Sequence, residues 1–127
     1  SVAVVSRNPE REPSITKASS INVSYLPWEL TDVLNDADLV INTTPGQAAD
    51  YFLSGIDKPR GTLFEVLYHP WPTALAQSWM NSSQKVIDGL DLLIHQAISQ
   101  VEIFAQLSVN RSEMYGLMRT AALDHLG

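Results

Sequence analysis

Short, β-branched apolar runs alternate with helical patterns along this chain, and no other feature narrows the range of possible folds as far. Residues 2–5, 39–42, 63–68 and 86–87 read as buried strands, because each is brief, apolar and bounded by turn-forming residues; residues 22–25 form a fifth, marginal run. The stretches 29–35 after Pro27-Trp28, 47–53 before Ser54-Gly55, and 73–81 instead repeat apolar residues three and four apart. That order predicts the α/β class: βαβ units with right-handed crossovers, making a parallel sheet with helices on both faces. Residues 12–20 are polar and interrupted by Pro13, so a helix there is expected to be short or irregular.

Past residue 88 the pattern changes. Residues 89–107 and 111–126 are two longer helical stretches with no strand between them, a C-terminal helical pair expected to close as a hairpin. Asn110 and Glu113 have the spacing of a capping box, with Asn in place of Ser or Thr. The helix they open carries Met114, Leu117, Met118, Ala121 and Ala122 on one side, for which core packing is the plain reading. On the preceding helix, at about 100° per residue, Asp91, His95, Ser99, Glu102 and Gln106 share a narrow polar face. Leu90, Leu93, Ile94, Ala97, Ile98, Val101 and Phe104 line a broad apolar one. Gln96 falls between Ile103 and Leu107, where its amide needs a partner: a substrate hydroxyl or carboxylate, or else water and backbone.

Composition removes several function classes. A net charge of −6 argues against a nucleic-acid binder, since neutralising phosphate takes clustered Lys and Arg. No apolar stretch reaches the roughly 18 residues that span a bilayer, so no membrane partner is expected. With no cysteine there is neither a disulfide framework nor a thiolate metal site, and a cytoplasmic location follows. His69, His95 and His125 lack a spacing that would gather them around a metal. The chain opens with Ser1 and runs straight into a strand, as expected of a piece truncated at its N-terminus.

Arg7, Arg11 and Lys17 nonetheless put three of the eight basic residues into the first seventeen positions, which suggests a local anion site. Arg7 stands at the end of the first strand. In a dinucleotide-binding fold the corresponding strand ends beside the adenosine ribose, where a carboxylate accepts the 2′-hydroxyl of NAD and an arginine pairs with the 2′-phosphate of NADP. A guanidinium suits the second task, being permanently charged and shaped as a planar donor fork. Arg11 can clamp the same group; two solvated loop arginines are the alternative.

Ligands of open parallel sheets bind beyond the C-terminal strand ends. There the chain offers Asn42-Thr43-Thr44-Pro45-Gly46, a polar turn or a helix cap, and Tyr68-His69-Pro70-Trp71-Pro72-Thr73, which presents the Tyr68 phenol. It also offers Asp88-Gly89, where glycine permits close approach of a flat ring. A phosphate-cradling G-x-G-x-x-G turn is absent and is expected upstream of Val2.

Taken in order, these motifs make the chain resemble the C-terminal, Rossmann-like part of the shikimate dehydrogenase family. Ser6-Arg7-Asn8-Pro9-Glu10-Arg11 stands where the family has N-R-T-x-x-R/K. Ala37-Asp38-Leu39-Val40-Ile41-Asn42-Thr43-Thr44-Pro45 is similar to A-D-x-V-[IV]-N-[AT]-T-P, and Glu65-Val66-Leu67-Tyr68-His69-Pro70 with Thr73 and Leu75 to D-x-x-Y-x-P-x-x-T-x-L. Asp88-Gly89-Leu90-Asp91-Leu92-Leu93-Ile94-His95-Gln96-Ala97 resembles G-x-x-M-L-x-x-Q-A.

The resemblance implies an oxidoreductase that reduces 3-dehydroshikimate to shikimate with NADPH, in chorismate and aromatic amino-acid biosynthesis. It implies NADP contacts from Ser6, Arg7, Arg11, Asn42, Thr43, Thr44, Gly89 and Leu92, and substrate contacts from Tyr68 and Gln96. It implies no catalytic residue within this stretch, because the family's catalytic lysine and aspartate precede Val2; the stretch alone should not turn over. Residues 1–88 would be a partial NADP-binding domain and 89–127 helices packing back toward a substrate domain, in an assembly compatible with a homodimer. Ser6, Asn8, Glu65 and Leu92 depart from the family's Asn, Thr, Asp and Met. They leave two alternatives: a catalytically degenerate α/β scaffold that binds a nucleotide or protein, and a quinate/shikimate dehydrogenase paralogue.

Overall fold

The computed structural model describes residues 1–18, 20–29 and 32–126. Among these, five strands form: β1 (Val2–Ser6), β2 (Val23–Pro27), β3 (Leu39–Asn42), β4 (Thr62–Glu65) and β5 (Val86–Asp88). All ladders are parallel. β1 pairs with β2, setting Val2 against Val23 and Ser6 against Pro27. β4 lies between β3 and β5, and its register sets Asn42, Glu65 and Asp88 side by side in the last row of the three strands. The single sheet expected from sequence is thus in two parts, ordered β1-β2 and β3-β4-β5. In the doubly wound order 3-2-1-4-5-6 these blocks are the strands on either side of the first.

The connections are helical: α1 (Glu12–Ala18), α2 (Val33–Asp36), α3 (Ala74–Asn81), α4 (Gly89–Ala105) and α5 (Arg111–Leu126), with 3₁₀ turns at Pro9–Arg11 and Ala48–Gly55. Pro13 falls in the first turn of α1, where its missing N–H has no intrahelical role, so the helix forms despite it. α2 is shorter than the expected 29–35 helix, whose Leu30 and Thr31 lie outside the described residues. The expected helix over 47–53 is a 3₁₀ helix instead.

Two apolar clusters hold the layers. Val40 and Leu63 of the sheet pack with Phe52, Leu75 and the fully buried Trp79, and Val5 of β1 and Trp28 after β2 pack against that cluster. The Trp79 indole satisfies its N–H by donating to the Gly61 carbonyl at 3.0 Å. The second cluster is Leu90, Ile94 and Ile98 of α4 against Val109, Met114, Tyr115, Met118 and Ala122. It closes the expected helical hairpin, whose cap is the Asn110 side chain accepting from the Glu113 amide at 3.3 Å.

Only part of the apolar face of α4 is covered. Leu93 is exposed, and beyond it Ile103, Phe104 and Leu107 stand at 70, 83 and 50% exposure. Among the described residues no helix is long and apolar enough to cross a membrane, and no group of three or more His, Asp or Glu is placed to hold a metal.

Candidate functional site

The strand ends are organised around one buried acid. Glu65, the last residue of β4, is 0% exposed, and its carboxyl oxygens accept four hydrogen bonds from three donors. Asn42 Nδ2 donates to both oxygens at 2.9 Å, the Leu67 amide to Oε1 at 3.3 Å and Thr73 Oγ1 to Oε2 at 3.0 Å. Burial of a carboxyl group is tolerable only with such partners. The network also explains why β4 stops at Glu65 and not at Tyr68 as the sequence suggests. Its side chain recruits the amide two residues on and turns the backbone out of the ladder.

The same bonds shape the neighbouring loops. Asn42, with its amide nitrogen given to Glu65, accepts at Oδ1 from the Thr44 amide at 3.1 Å and the Thr44 hydroxyl at 2.8 Å. The 42–44 turn is therefore fixed, with Thr43 exposed at its outer side. Thr73 accepts from the Ala76 amide at 3.0 Å and so caps α3 while donating to Glu65. Between them runs the loop bearing Tyr68, exposed at 43%, with the His69-Pro70 and Trp71-Pro72 peptide bonds cis.

At the end of β5, Asp88 caps α4 by accepting from the Asp91 amide at 2.8 Å. Gly89 donates its N–H to the Leu67 carbonyl at 3.3 Å, and a Cβ there would fall 1.8 Å from the Val66 carbonyl oxygen. The glycine expected to let a flat ring approach is thus required first by the protein's own backbone. Leu92 and Gln96 follow four residues apart on one side of α4, both exposed. Gln96 is exposed, as are Ile103 and Leu107, between which the sequence sets it.

Sequence reasoning missed what lies beneath this turn. Arg119 of α5 reaches Asp88 Oδ2 at 2.8 Å and Asp91 Oδ1 at 2.6 Å, and the Tyr115 hydroxyl also donates to Asp91 Oδ1. Two carboxylates three residues apart at a helix start, and a Tyr and an Arg four apart on the next helix, are the only signal. It becomes readable once the hairpin register is known. Burial alone would raise the Asp88 pKa, but the Arg119 hydrogen bond, the Asp91 and Leu90 amides and the Arg119 charge outweigh it and hold the group below its ordinary 3.8. The hydrogen bond to Asp91 and burial push the Tyr115 phenol up.

A carboxyl held low in the folded state stabilises the fold above its unfolded pKa and loses that contribution as pH falls through the folded value. The stability gap between this protein and an Asp88→Asn variant is therefore expected to be full at neutral pH and to close below about pH 4. Thermal unfolding of both across that range measures it.

The tip of β1 is built differently. Ser6 Oγ accepts from the Asn8 amide at 3.3 Å, Asn8 Oδ1 accepts from the Glu10 amide at 3.0 Å, and the Tyr25 hydroxyl donates to the Asn8 carbonyl at 2.6 Å. Arg7 leaves this turn exposed, its guanidinium carbon 5.4 Å from the centroid of the Trp28 ring. Trp28 in turn packs on Phe52, at 4.5 Å between centroids, and Tyr51, at 6.2 Å. This aromatic chain ties Arg7 to the 3₁₀ turn that follows the 42–46 loop. Arg11 is exposed one turn on, and among the described residues neither arginine is ion-paired.

Ser6, Arg7, Asn42, Thr43, Thr44, Tyr68 and Gly89 thus stand at or just after the C-terminal ends of β1, β3, β4 and β5, with Leu92 and Gln96 on the helix that follows. Hydrogen bonds join Asn42 and Thr44 through Glu65 to the loop of Tyr68, and Gly89 touches that loop by its backbone.

No protein-family model matches the chain. It is 26% identical over 134 residues to the shikimate dehydrogenase (NADP(+)) of Bartonella tribocorum, covering 98% of this chain and 45% of that protein. To the shikimate dehydrogenase (NADP(+)) of Maricaulis maris it is 30% identical over 132 residues, covering 99% and 46%. The crystal structure of Mycobacterium tuberculosis shikimate dehydrogenase superposes with a TM-score of 0.79 at 28% identity, over 94% of this chain and 46% of that one. The chain spans a little under half the length of these relatives. Its motifs, its parallel strands with a C-terminal helical pair, and these matches agree: the chain belongs to the shikimate dehydrogenase family, matching the C-terminal Rossmann-like part of its members.

Proposed function

We propose that this chain forms the NADP-binding portion of an oxidoreductase that reduces 3-dehydroshikimate to shikimate, a step in making chorismate and the aromatic amino acids. The observation that carries the reading is Arg7: an exposed guanidinium at the tip of a parallel strand, free of any ion pair among the described residues and steadied by the Trp28 ring. Such a group fits the 2′-phosphate that distinguishes NADP from NAD. Arg11 joins it there, with the Ser6 hydroxyl at the root of the turn. Asn42, Thr43 and Thr44 form the next wall, and Gly89 and Leu92 receive the nicotinamide end.

NADPH, when bound, supplies the hydride. The residues of this chain bind and orient: the Tyr68 hydroxyl and Gln96 amide, both exposed, offer donors and acceptors to a polyhydroxy carboxylate. Protonation chemistry belongs to groups outside this stretch. Residues 1–88 then serve as the partial cofactor domain and residues 89–127 pack toward a substrate domain, for which the exposed Ile103, Phe104 and Leu107 supply an apolar face.

The test, made on the full-length protein that carries this stretch, is a fluorescence titration with NADPH and NADH, together with an assay of shikimate and quinate oxidation in the presence of NADP(+). NADPH is expected to bind at least about tenfold more tightly than NADH, as one charge-assisted contact provides, and shikimate to be the faster substrate. Equal binding of the two cofactors removes the role given to Arg7. Binding without turnover of either substrate returns the chain to a scaffold reading.

A further inference from the structure

We propose that Arg119 is a positioning residue: from the second C-terminal helix it sets the geometry of the β5–α4 turn and, through it, the nicotinamide end of the site. The inference rests on the cofactor reading above. Arg119 grips the turn twice, at Asp88 Oδ2 (2.8 Å) and Asp91 Oδ1 (2.6 Å), so its guanidinium spans the first turn of α4 from the cap to the third helical residue. A second α5 residue, Tyr115, donates to the same Asp91 oxygen, and its ring stacks on His95 at 5.3 Å. From the other side the turn is held by the Leu67 carbonyl, which accepts the Gly89 N–H. Gly89 is clamped between these two holds, and Leu92 is the next residue along the helix after Asp91.

Docking α5 on α4 does not itself require these charges, because Met114, Met118 and Ala122 already cover Leu90, Ile94 and Ile98. Partly buried ion pairs are weak contributors to stability once desolvation is counted, whereas a two-point grip fixes register. A cavity of about 280 Å³ opens beside the grip, and its walls include Tyr68 as well as Asp88 and Arg119. One residue of α5 therefore reaches the turn assigned to nicotinamide and borders the space next to the phenol assigned to substrate. Arg7 and Arg11, at the tip of β1, make no hydrogen bond or ion pair to this group.

The test compares two ligands on the full-length protein that carries this stretch. Adenosine 2′,5′-bisphosphate carries only the half of NADPH that meets Arg7; NADPH carries both halves. For Arg119→Gln the Kd of NADPH is expected to rise about tenfold, as small misplacements of a binding group do, while that of adenosine 2′,5′-bisphosphate stays within about twofold. Arg119→Lys keeps the charge without the fork and is expected to recover part of the loss. A merely structural role would weaken both ligands together, and that result, or no change for either, overturns the proposal. Should Arg119→Gln fail to fold, Arg119→Lys carries the same comparison with a smaller asymmetric loss. Amide hydrogen exchange without ligand reads the geometry directly: faster exchange at residues 89–91 with residues 7–11 unaltered is expected, and unaltered exchange at 89–91 overturns the proposal. If the unsubstituted protein binds no NADPH, the cofactor reading itself falls, whereas the exchange result still shows whether the clamp exists.

Discussion

Replacing Glu65 with leucine is expected to cost about 3 to 5 kcal/mol of folding stability, because each buried donor left without an acceptor costs roughly 1 to 3 kcal/mol. Three groups lose their acceptor at once: Asn42 Nδ2, the Leu67 amide and Thr73 Oγ1. No water replaces it, since the residue is fully enclosed. Asn42 is then free to release Thr44, and Thr73 loses the bond that orients it as the cap of α3. Glu65→Gln keeps the shape but offers a donor where Asn42 or Thr73 already donates, so it should fall between. Denaturant midpoints for the three proteins, with unchanged slopes, provide the measurement. A Leu variant as stable as the parent would show that the network is not what holds the strand ends together.

The second large effect is at the β5–α4 turn. Gly89→Ala places a methyl group 1.8 Å from the Val66 carbonyl oxygen and 2.6 Å from its carbon, both backbone atoms that no rotamer change can move aside. Either the loop after β4 or the start of α4 must shift by an ångström or more, breaking the Gly89 to Leu67 hydrogen bond and straining the Arg119 clamp. Overpacking of this kind is expected to cost about 3 kcal/mol, and the displaced turn is expected to weaken NADPH binding in whatever protein still folds. Thermal unfolding and a cofactor titration of the variant check the two parts. A fully stable Gly89→Ala protein with unaltered binding would mean that the turn has room the close contact denies it.

Much of the fold could be read directly from the order of residues. The 39–42 strand and the 111–126 helix fall where the sequence places them, because each is bounded by its own local signals: an Asn-Thr-Thr-Pro turn after the first, an Asn110 cap before the second. Other boundaries depend on distant partners. β4 ends at Glu65 because an acid buried among Asn42, Thr73 and the Leu67 amide turns the chain, and no residue within the strand announces that.

The site divides in the same way. Arg7 and the polar 42–44 turn could be found by asking what stands at strand ends, whereas the Arg119 clamp joins residues 28 and 31 positions apart across a hairpin whose register the sequence leaves open. The apolar stripe of α4 shows the limit of periodicity. It identified Leu90, Ile94 and Ile98 as core, yet it could not tell them from Phe104, which the fold leaves outside. Gln96 is exposed, which fits the water-bonded alternative that the sequence left open for its amide.

The role of Arg7 is tested most directly by titrating the full-length protein that carries this stretch, and its Arg7→Ala variant, with NADPH and NADH under one buffer. Loss of a charge-assisted phosphate contact is expected to raise the Kd for NADPH by about tenfold or more and to leave that for NADH nearly unmoved, so that the preference largely disappears. If the variant discriminates between the two cofactors as well as the parent does, the guanidinium at the tip of β1 does not read the 2′-phosphate, and the cofactor assignment built on it is wrong.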